Sequence, residues 1–274
     1  MQFLANIPYP TNEASKLASL DVLFREWHQH FSCVPFAFQK HNADDMVFDG
    51  FYPHYFSQKK RILFIGREAR DISGFNYLEL LYRAYRVTKL IGVQHLNVSK
   101  FHSRMIYIAY GIMNGMPAWQ DIPDAKKIGD TFGDLDGLSF AFMNISKFSN
   151  DSINWPSDWG VINASHEHST QARNFNREAV AILEPHIVIT MNLGDKIVSL
   201  GQLTDIQSTG LVESYWLDSN GHRSLLINTW HFSAPRKKAV TDYYIPICDA
   251  IRHSEAILVS KQRQSPDSGR HTSQ

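Results

Sequence analysis

The sequence predicts an α/β fold: a central four-stranded parallel sheet with helices on both faces. Four short runs, RILFIG (61–66), LSFAFMNI (138–145), HIVITM (186–191) and SLLINT (224–229), are almost continuously apolar and bounded by turn residues. Such runs suit strands buried on both faces, as in a parallel sheet covered by helices. Helical patterns lie between them, and strands alternating with helices argue for a parallel α/β arrangement. With 274 residues, 43% hydrophobic and 20% charged, the chain is long enough for one large core.

In order along the chain, a helix is expected over 13–31, followed by an aromatic, turn-rich stretch over 43–60. After the first strand, 76–90 favours helix, with tyrosines and leucines on one side and Arg83, Arg86 and Lys89 left to water. Phe101, Met105, Ile108, Ala109 and Ile112 share one helical face. A helix over 171–183 runs into Pro185, which stops it before the third strand. A short helix is expected over 195–200 after Gly194, and the polar stretch 260–274 reads as a disordered tail. Together these give a single domain over 1–259.

Composition narrows the function. Lys+Arg and Asp+Glu are 27 each, a formal net charge of zero, so any nucleic-acid contact has to be a local patch. Two cysteines, Cys33 and Cys248, are too few for an iron–sulfur cluster and read as reduced thiols. No basic, apolar leader pattern opens the chain, and no apolar run approaches the ~20 residues of a membrane helix. A soluble, cytoplasmic protein with no membrane partner is expected, as a monomer. His166 and His168 have a spacing that would place both on one side of an extended segment, but nothing completes a ligand set. A solvated loop is the expectation there, and no metal. The glycine-rich phosphate fingerprints are absent.

Ligands of open parallel α/β sheets bind outside the carboxyl ends of the strands. The polar residues fall there. Gly66, Arg67, Glu68, Arg70 and Asp71 follow the first strand; Asn144, Ser146 and Lys147 end the second; Asn192 and Gly194 follow the third; His231 and Ser233 follow the fourth. The last stretch, INTWHFSAPRKK (227–238), sets Arg236, Lys237 and Lys238 directly behind the histidine.

Three stretches, IGREARD, FMNISKF and TWHFSAP, each after a strand and in that order, resemble the site motifs of the uracil-DNA glycosylase superfamily. In that family a Gly-x-(Asp/Asn)-Pro turn follows the first strand, an Asn ends the next, and a His-Pro-Ser loop follows the last. The resemblance covers about Arg61 to Pro246; residues 1–60 and 76–136 have no clear counterpart, which makes them an N-terminal elaboration and a helical insertion relative to it. It implies a three-layer αβα fold and a monofunctional DNA glycosylase, which cuts the base–sugar bond of a flipped nucleotide and leaves an abasic site. DNA is the implied partner. No cofactor is implied, because water is the nucleophile.

By the same resemblance Glu68 stabilises the sugar cation and orients water, and His231 donates to the departing base. Asn144 reads the base edge, with Gly66 beneath it and Phe75 stacking. Arg67, Arg70, Ser233, Pro235, Arg236, Lys237 and Lys238 meet the DNA. Base–sugar cleavage builds positive charge on the sugar and negative charge on the base, which is why a carboxylate and an imidazole belong together. A side-chain amide offers both a donor and an acceptor to a pyrimidine.

This sequence departs from the pattern at three places. Glu68 is one methylene longer than aspartate, Ala69 stands where the family has proline, and Phe232 replaces the proline of His-Pro-Ser. These departures point away from plain uracil and toward a modified pyrimidine. Prokaryotic members that remove modified bases from phage DNA, with glucosylated hydroxymethylcytosine as the suspected base, make antiviral defence the matching role.

Other readings stand beside these. Glu68 also suits a surface loop, His231 a core histidine, Asn144 a helix cap and Phe75 core packing. Lys147 is near enough in sequence for a Schiff-base lyase. Trp155 and Trp159 would either wall a large pocket or fold onto the core. Uracil repair, a nucleoside or nucleotide hydrolase, and a catalytically inactive DNA-binding module of the same fold are the alternative functions.

Overall fold

In the computed structural model, residues 5–34, 41–152 and 156–264 are described. The N-terminal helix is α1 (Ala14–Ser32), with Leu20, Leu23, Phe24, Trp27 and Phe31 on its buried face. A two-residue strand β1 (Gly50–Phe51) precedes the first apolar run, β2 (Ile62–Gly66). Helix α2 (Tyr77–Arg83), capped by Asn76, continues as a π-turn over Ala84–Thr88 and ends at Lys89, whose φ of 56° is left-handed. The pair β3 (Leu90–Ile91) and β4 (Gln94–His95) leads into α3 (Lys100–Met113), then α4 (Ala125–Gly129). Next come β5 (Ala141–Asn144), α5 (Trp159–His168), α6 (Phe175–Leu183) and β6 (Ile187–Met191). After a 3-10 turn over Gly194–Leu200, β7 (Gln202–Ser208), β8 (Val212–Ser219) and β9 (His222–Thr229) precede α7 (Ile245–Gln264).

The central sheet has seven strands, in the order β1-β5-β2-β6-β9-β8-β7, rather than the expected four. The four apolar runs are its middle: β5, β2, β6 and β9 pair in parallel. On the flanks β1 pairs antiparallel with β5, while β8 and β7 extend β9 as an antiparallel meander. Of these outer strands, β1 is only two residues long and buried, while β7 forms the open edge of the sheet. Along β7, most residues are exposed.

Alternate residues of the parallel strands face opposite cores. Phe64, Phe142, Ile189 and Ile227 belong to one, closed by α2, α3 and α7. Leu63, Ile65, Met143, Val188 and Leu226 belong to the other, closed by α1, α5 and α6. The fold is therefore mixed α/β, with a mostly parallel central sheet flanked by helices on both faces.

Several expectations change. His166 and His168 lie within α5, not in a loop, so they sit about 200° apart around the helix rather than on one side. The predicted helix over 171–183 begins only at Phe175, because the Asn174 side chain caps it by accepting the Arg177 N–H at 2.9 Å. Lys89, expected in water, is buried between Asp130 (3.1 Å) and the Tyr85 carbonyl (2.9 Å). Residues 260–264 continue α7. Cys33 is exposed, Cys248 is buried, and both are free. Among the described residues, no helix is long and apolar enough to cross a membrane, and no group of His, Cys, Asp or Glu could hold a metal.

The double-sided burial gives a direct expectation. Ile189, fully buried at the middle of β6, is replaced by alanine at a cost of about 3 kcal/mol, read from urea denaturation. A loss below about 1 kcal/mol would mean that this face of the sheet is not packed as described.

Candidate active site

The carboxyl ends of the four parallel strands carry the polar residues. At the end of β2 and β5, Gly66 and Asn144 are register partners. A Cβ on Gly66 would lie 2.5 Å from the Asn144 side-chain oxygen and 3.3 Å from the Phe142 ring. Only a glycine lets that amide lie across the strand. Asn144 is 2% exposed, and its Nδ2 has no hydrogen-bond partner among the described residues. A buried amide donor without a partner is costly unless something else meets it.

The backbone of Asn144 is held from below. Its N–H donates to Asp49 Oδ2 at 2.8 Å, and its carbonyl accepts from Lys147 Nζ at 2.9 Å. Lys147 also donates to both oxygens of Asp49, at 2.8 and 2.6 Å, and lies 5.0 Å from the centre of the Trp27 ring. Both residues of the pair are buried. Burial pushes the Asp49 carboxyl up and the Lys147 amine down, each opposed by the other's charge. All three donors of the ammonium are engaged, so Lys147 is not placed to form a Schiff base. The helix-cap reading of Asn144 also falls away, since the chain continues into buried loop residues rather than a helix.

Glu68 stands two residues beyond β2, partly buried, with Oε2 unpartnered. Desolvation raises its carboxyl above the usual range, while Ser157, Asn150, the Asp158 backbone and the Arg67 charge pull it back. Arg67 is turned inward rather than out toward solvent. It donates from Nε to the Asn192 carbonyl at 3.1 Å and from Nη1 to Ser157 Oγ at 3.2 Å, and stacks 4.9 Å over the Trp159 ring. Burial lowers its pKa. Trp155 lies outside the described residues.

His231 follows β9. Desolvation, with the Arg67 charge behind it, pushes its pKa down to about 4. The Ser233 N–H donates to its Nδ1 at 3.2 Å. A backbone N–H can only donate, so Nδ1 is unprotonated and the neutral ring carries its proton on Nε2. The ring lies 5.3 Å from that of Phe101, at the start of α3, which also reaches the Phe142 ring at 6.2 Å. Helix α3 thus contributes an aromatic between the glycine–asparagine end and the histidine end of the site.

The loop behind His231 is fixed by Arg104. Its guanidinium donates to the carbonyls of Phe232 and, at 2.7 Å, Lys237, and lies 4.7 Å over the Tyr243 ring. Tyr243 in turn donates to the His231 carbonyl at 2.8 Å. Ser233, Pro235, Arg236 and Lys238 are exposed on the rim. Lys237 sits 4.3 Å over the Trp230 ring and 3.7 Å from Asp242. Arg70 folds sideways, donating to the Ser152 carbonyl at 2.8 Å. Phe75 is 60% exposed, so the core-packing reading does not hold for it.

Sequence reading missed Asp49, Phe101 as a site residue, and Arg104. Only Arg104 left a signal, a lone charge amid the apolar face of a helix. Compared with known proteins, the chain matches no family model, no curated protein and no solved structure.

Two outcomes test this geometry. Lys147→Met leaves a buried carboxylate alone and costs roughly 3–5 kcal/mol of stability by chemical denaturation. A much smaller loss would mean that water reaches Asp49. For His231, the ring stays neutral down to about pH 4, in place of the model-peptide 6.5. Its contribution to stability is whole above the unfolded pKa and lost as pH falls through the folded one, because the unfolded chain binds the proton first. Imidazole NMR shifts that are flat above pH 5.5 are the expected result, and a midpoint near 6.5 would contradict the burial.

Proposed function

We propose that this protein is a monofunctional DNA glycosylase that hydrolyses the base–deoxyribose bond of an extruded, modified pyrimidine and leaves an abasic site. The observation that carries the reading is the buried amide of Asn144, unpartnered at Nδ2 and lying across the bare face of Gly66. It stands at the same sheet edge as a carboxylate and a neutral imidazole donor. The unmet donor suits a base edge that brings its own acceptor.

The chemistry follows from the environments. As the C1′–N bond breaks, its electron pair goes to the base and C1′ becomes cationic. Glu68 faces that cation and accepts the proton of the attacking water; its raised pKa makes it a better base than an exposed glutamate. His231, neutral with Nε2–H, donates to the oxygen of the departing anion and holds the charge without first becoming a cation. With Lys147 fully engaged below, water rather than an amine is the nucleophile.

The four parallel strands in the order β5-β2-β6-β9, between helical layers, are in keeping with the three-layer fold that the motif resemblance implies. On this reading β1, β7 and β8 are additions. The substrate reading rests on the departures. Glu68 is longer than the family residue, and helix α3 of the insertion brings Phe101 against His231. Both argue for a base other than plain uracil, and glucosylated hydroxymethylcytosine of phage DNA in a defence role fits them.

An abasic-site assay decides it. Protein is incubated with uracil-containing DNA, ordinary DNA and phage DNA carrying glucosylated hydroxymethylcytosine, then treated with alkali. Breaks are expected in the modified DNA alone, and Glu68→Gln slows them by about 100-fold or more. Breaks in uracil DNA alone would reassign the base. Unbroken DNA in every arm would overturn the activity and leave a DNA-binding module.

A further inference from the structure

A nucleotide leaving a duplex opens a gap in the stack, and proteins that extrude bases fill such gaps with apolar side chains. The loop after β9 has little to offer: its exposed positions are Ser233, Pro235, Arg236 and Lys238. The neighbouring Trp230 is 39% exposed, but its ring lies beneath Lys237.

The insertion does offer one. Strands β3 and β4 form a hairpin in which Leu90 faces His95 and Ile91 faces Gln94. Its two-residue turn is Gly92-Val93, with Gly92 at φ 57°, where glycine at the first turn position matches the twist of the strands. Val93 at the tip is 96% exposed, Val98 65% and Leu90 36%.

The hairpin is anchored firmly. Leu96 is buried and its N–H donates to the Lys89 carbonyl at 2.9 Å, while Lys89 is itself held by Asp130. The Asn97 side chain accepts the Lys126 N–H at 2.8 Å, which ties the hairpin to α4. The chain then enters α3, where Phe101 meets His231. Lys100, Lys126 and Lys127 are exposed near this base. Two nearby carboxylates are already engaged, Asp130 by Lys89 and Asp124 as the cap of α4. An apolar tip with exposed lysines at its foot, joined to the site through the start of α3, fits a duplex with a base step at the tip and phosphates beside it.

We infer that the hairpin β3–β4 enters the base stack of bound DNA, with Val93 in the gap left by the extruded nucleotide and Lys100, Lys126 and Lys127 against the flanking phosphates. This rests on the glycosylase reading and assigns its DNA-opening element to the insertion.

The test uses the full chain and Val93→Gly, with Val93→Leu as the conservative variant. The DNA is a duplex with 2-aminopurine beside the target base and the matching single strand. The expected result is a fluorescence rise on wild-type binding that Val93→Gly loses and Val93→Leu keeps. The ratio of duplex to single-strand excision falls about tenfold in Val93→Gly. Abasic product with both readouts unchanged in Val93→Gly overturns the hairpin's role and leaves the glycosylase standing. A fluorescence rise lost in Val93→Gly, with no abasic product from wild type, overturns the glycosylase and leaves the hairpin as a DNA wedge. Absence of duplex binding overturns both.

Discussion

Lys147 and Asp49 meet without water beneath the carboxyl end of β5, and the upper layer of the site hangs from that meeting. Removing two charges from water costs several kcal/mol per ion, which mutual attraction returns only when the remaining donors and acceptors are satisfied. Here they are satisfied largely by Asn144: its N–H goes to the aspartate and its carbonyl to the lysine. The peptide groups on either side of the residue cannot turn without breaking the pair. An amide whose backbone is clamped at both ends needs little ordering when a ligand arrives. The same pair joins three parts of the molecule, since Asp49 precedes β1, Lys147 follows β5, and Trp27 of α1 covers the ammonium.

Arg67 does the corresponding work on the other side of the site. It is inside the loop cluster, bonded to the Asn192 carbonyl and stacked on Trp159, with its charge acting on both Glu68 and His231. The two effects have opposite consequences. The carboxylate's charged form is favoured, against the stronger pull of burial, while the imidazole's charged form is disfavoured, along with burial. The result is a neutral imidazole whose proton sits on Nε2. A chain with no net charge thus builds its local field here from one half-buried guanidinium.

The parallel core was legible because burial on both faces writes an unbroken apolar run, and HIVITM or RILFIG fits little else. The meander was not. Strands β7 and β8 carry polar residues through QLTDIQS and VESYWLDS because one flank is open to solvent, and no period separates them from a loop. Helix α7 could have been read: Ile247, Ala250, Ile251 and Ser254 are buried at helical spacing, with Pro246 in its first turn where proline is tolerated. Helix α5 announced itself only by Asp158, whose side chain caps it. Gly66, Glu68, Asn144 and His231 could be singled out as candidates because the ends of parallel strands are where ligands bind, a rule that needs only strand positions. Asp49 lies 98 residues from its partner, and nothing around it in sequence marks it.

Phe232 explains how the site tolerates its largest departure from the motif it resembles. A proline after the histidine would fix the loop through its ring, locking φ at the cost of an N–H. Phe232 fixes the loop through its side chain instead. It is fully buried, with its ring 6.0 Å from Phe64, 6.2 Å from Phe101 and 5.3 Å from Tyr243, while Arg104 holds its carbonyl. Those contacts come from β2, from α3 and from the turn before α7, so the histidine loop is positioned largely by residues outside its own stretch. Replacing a local constraint by packing ties the imidazole to α3. Helix α3 therefore cannot be lost or shifted without moving His231, and it belongs to the site as much as the strand ends do.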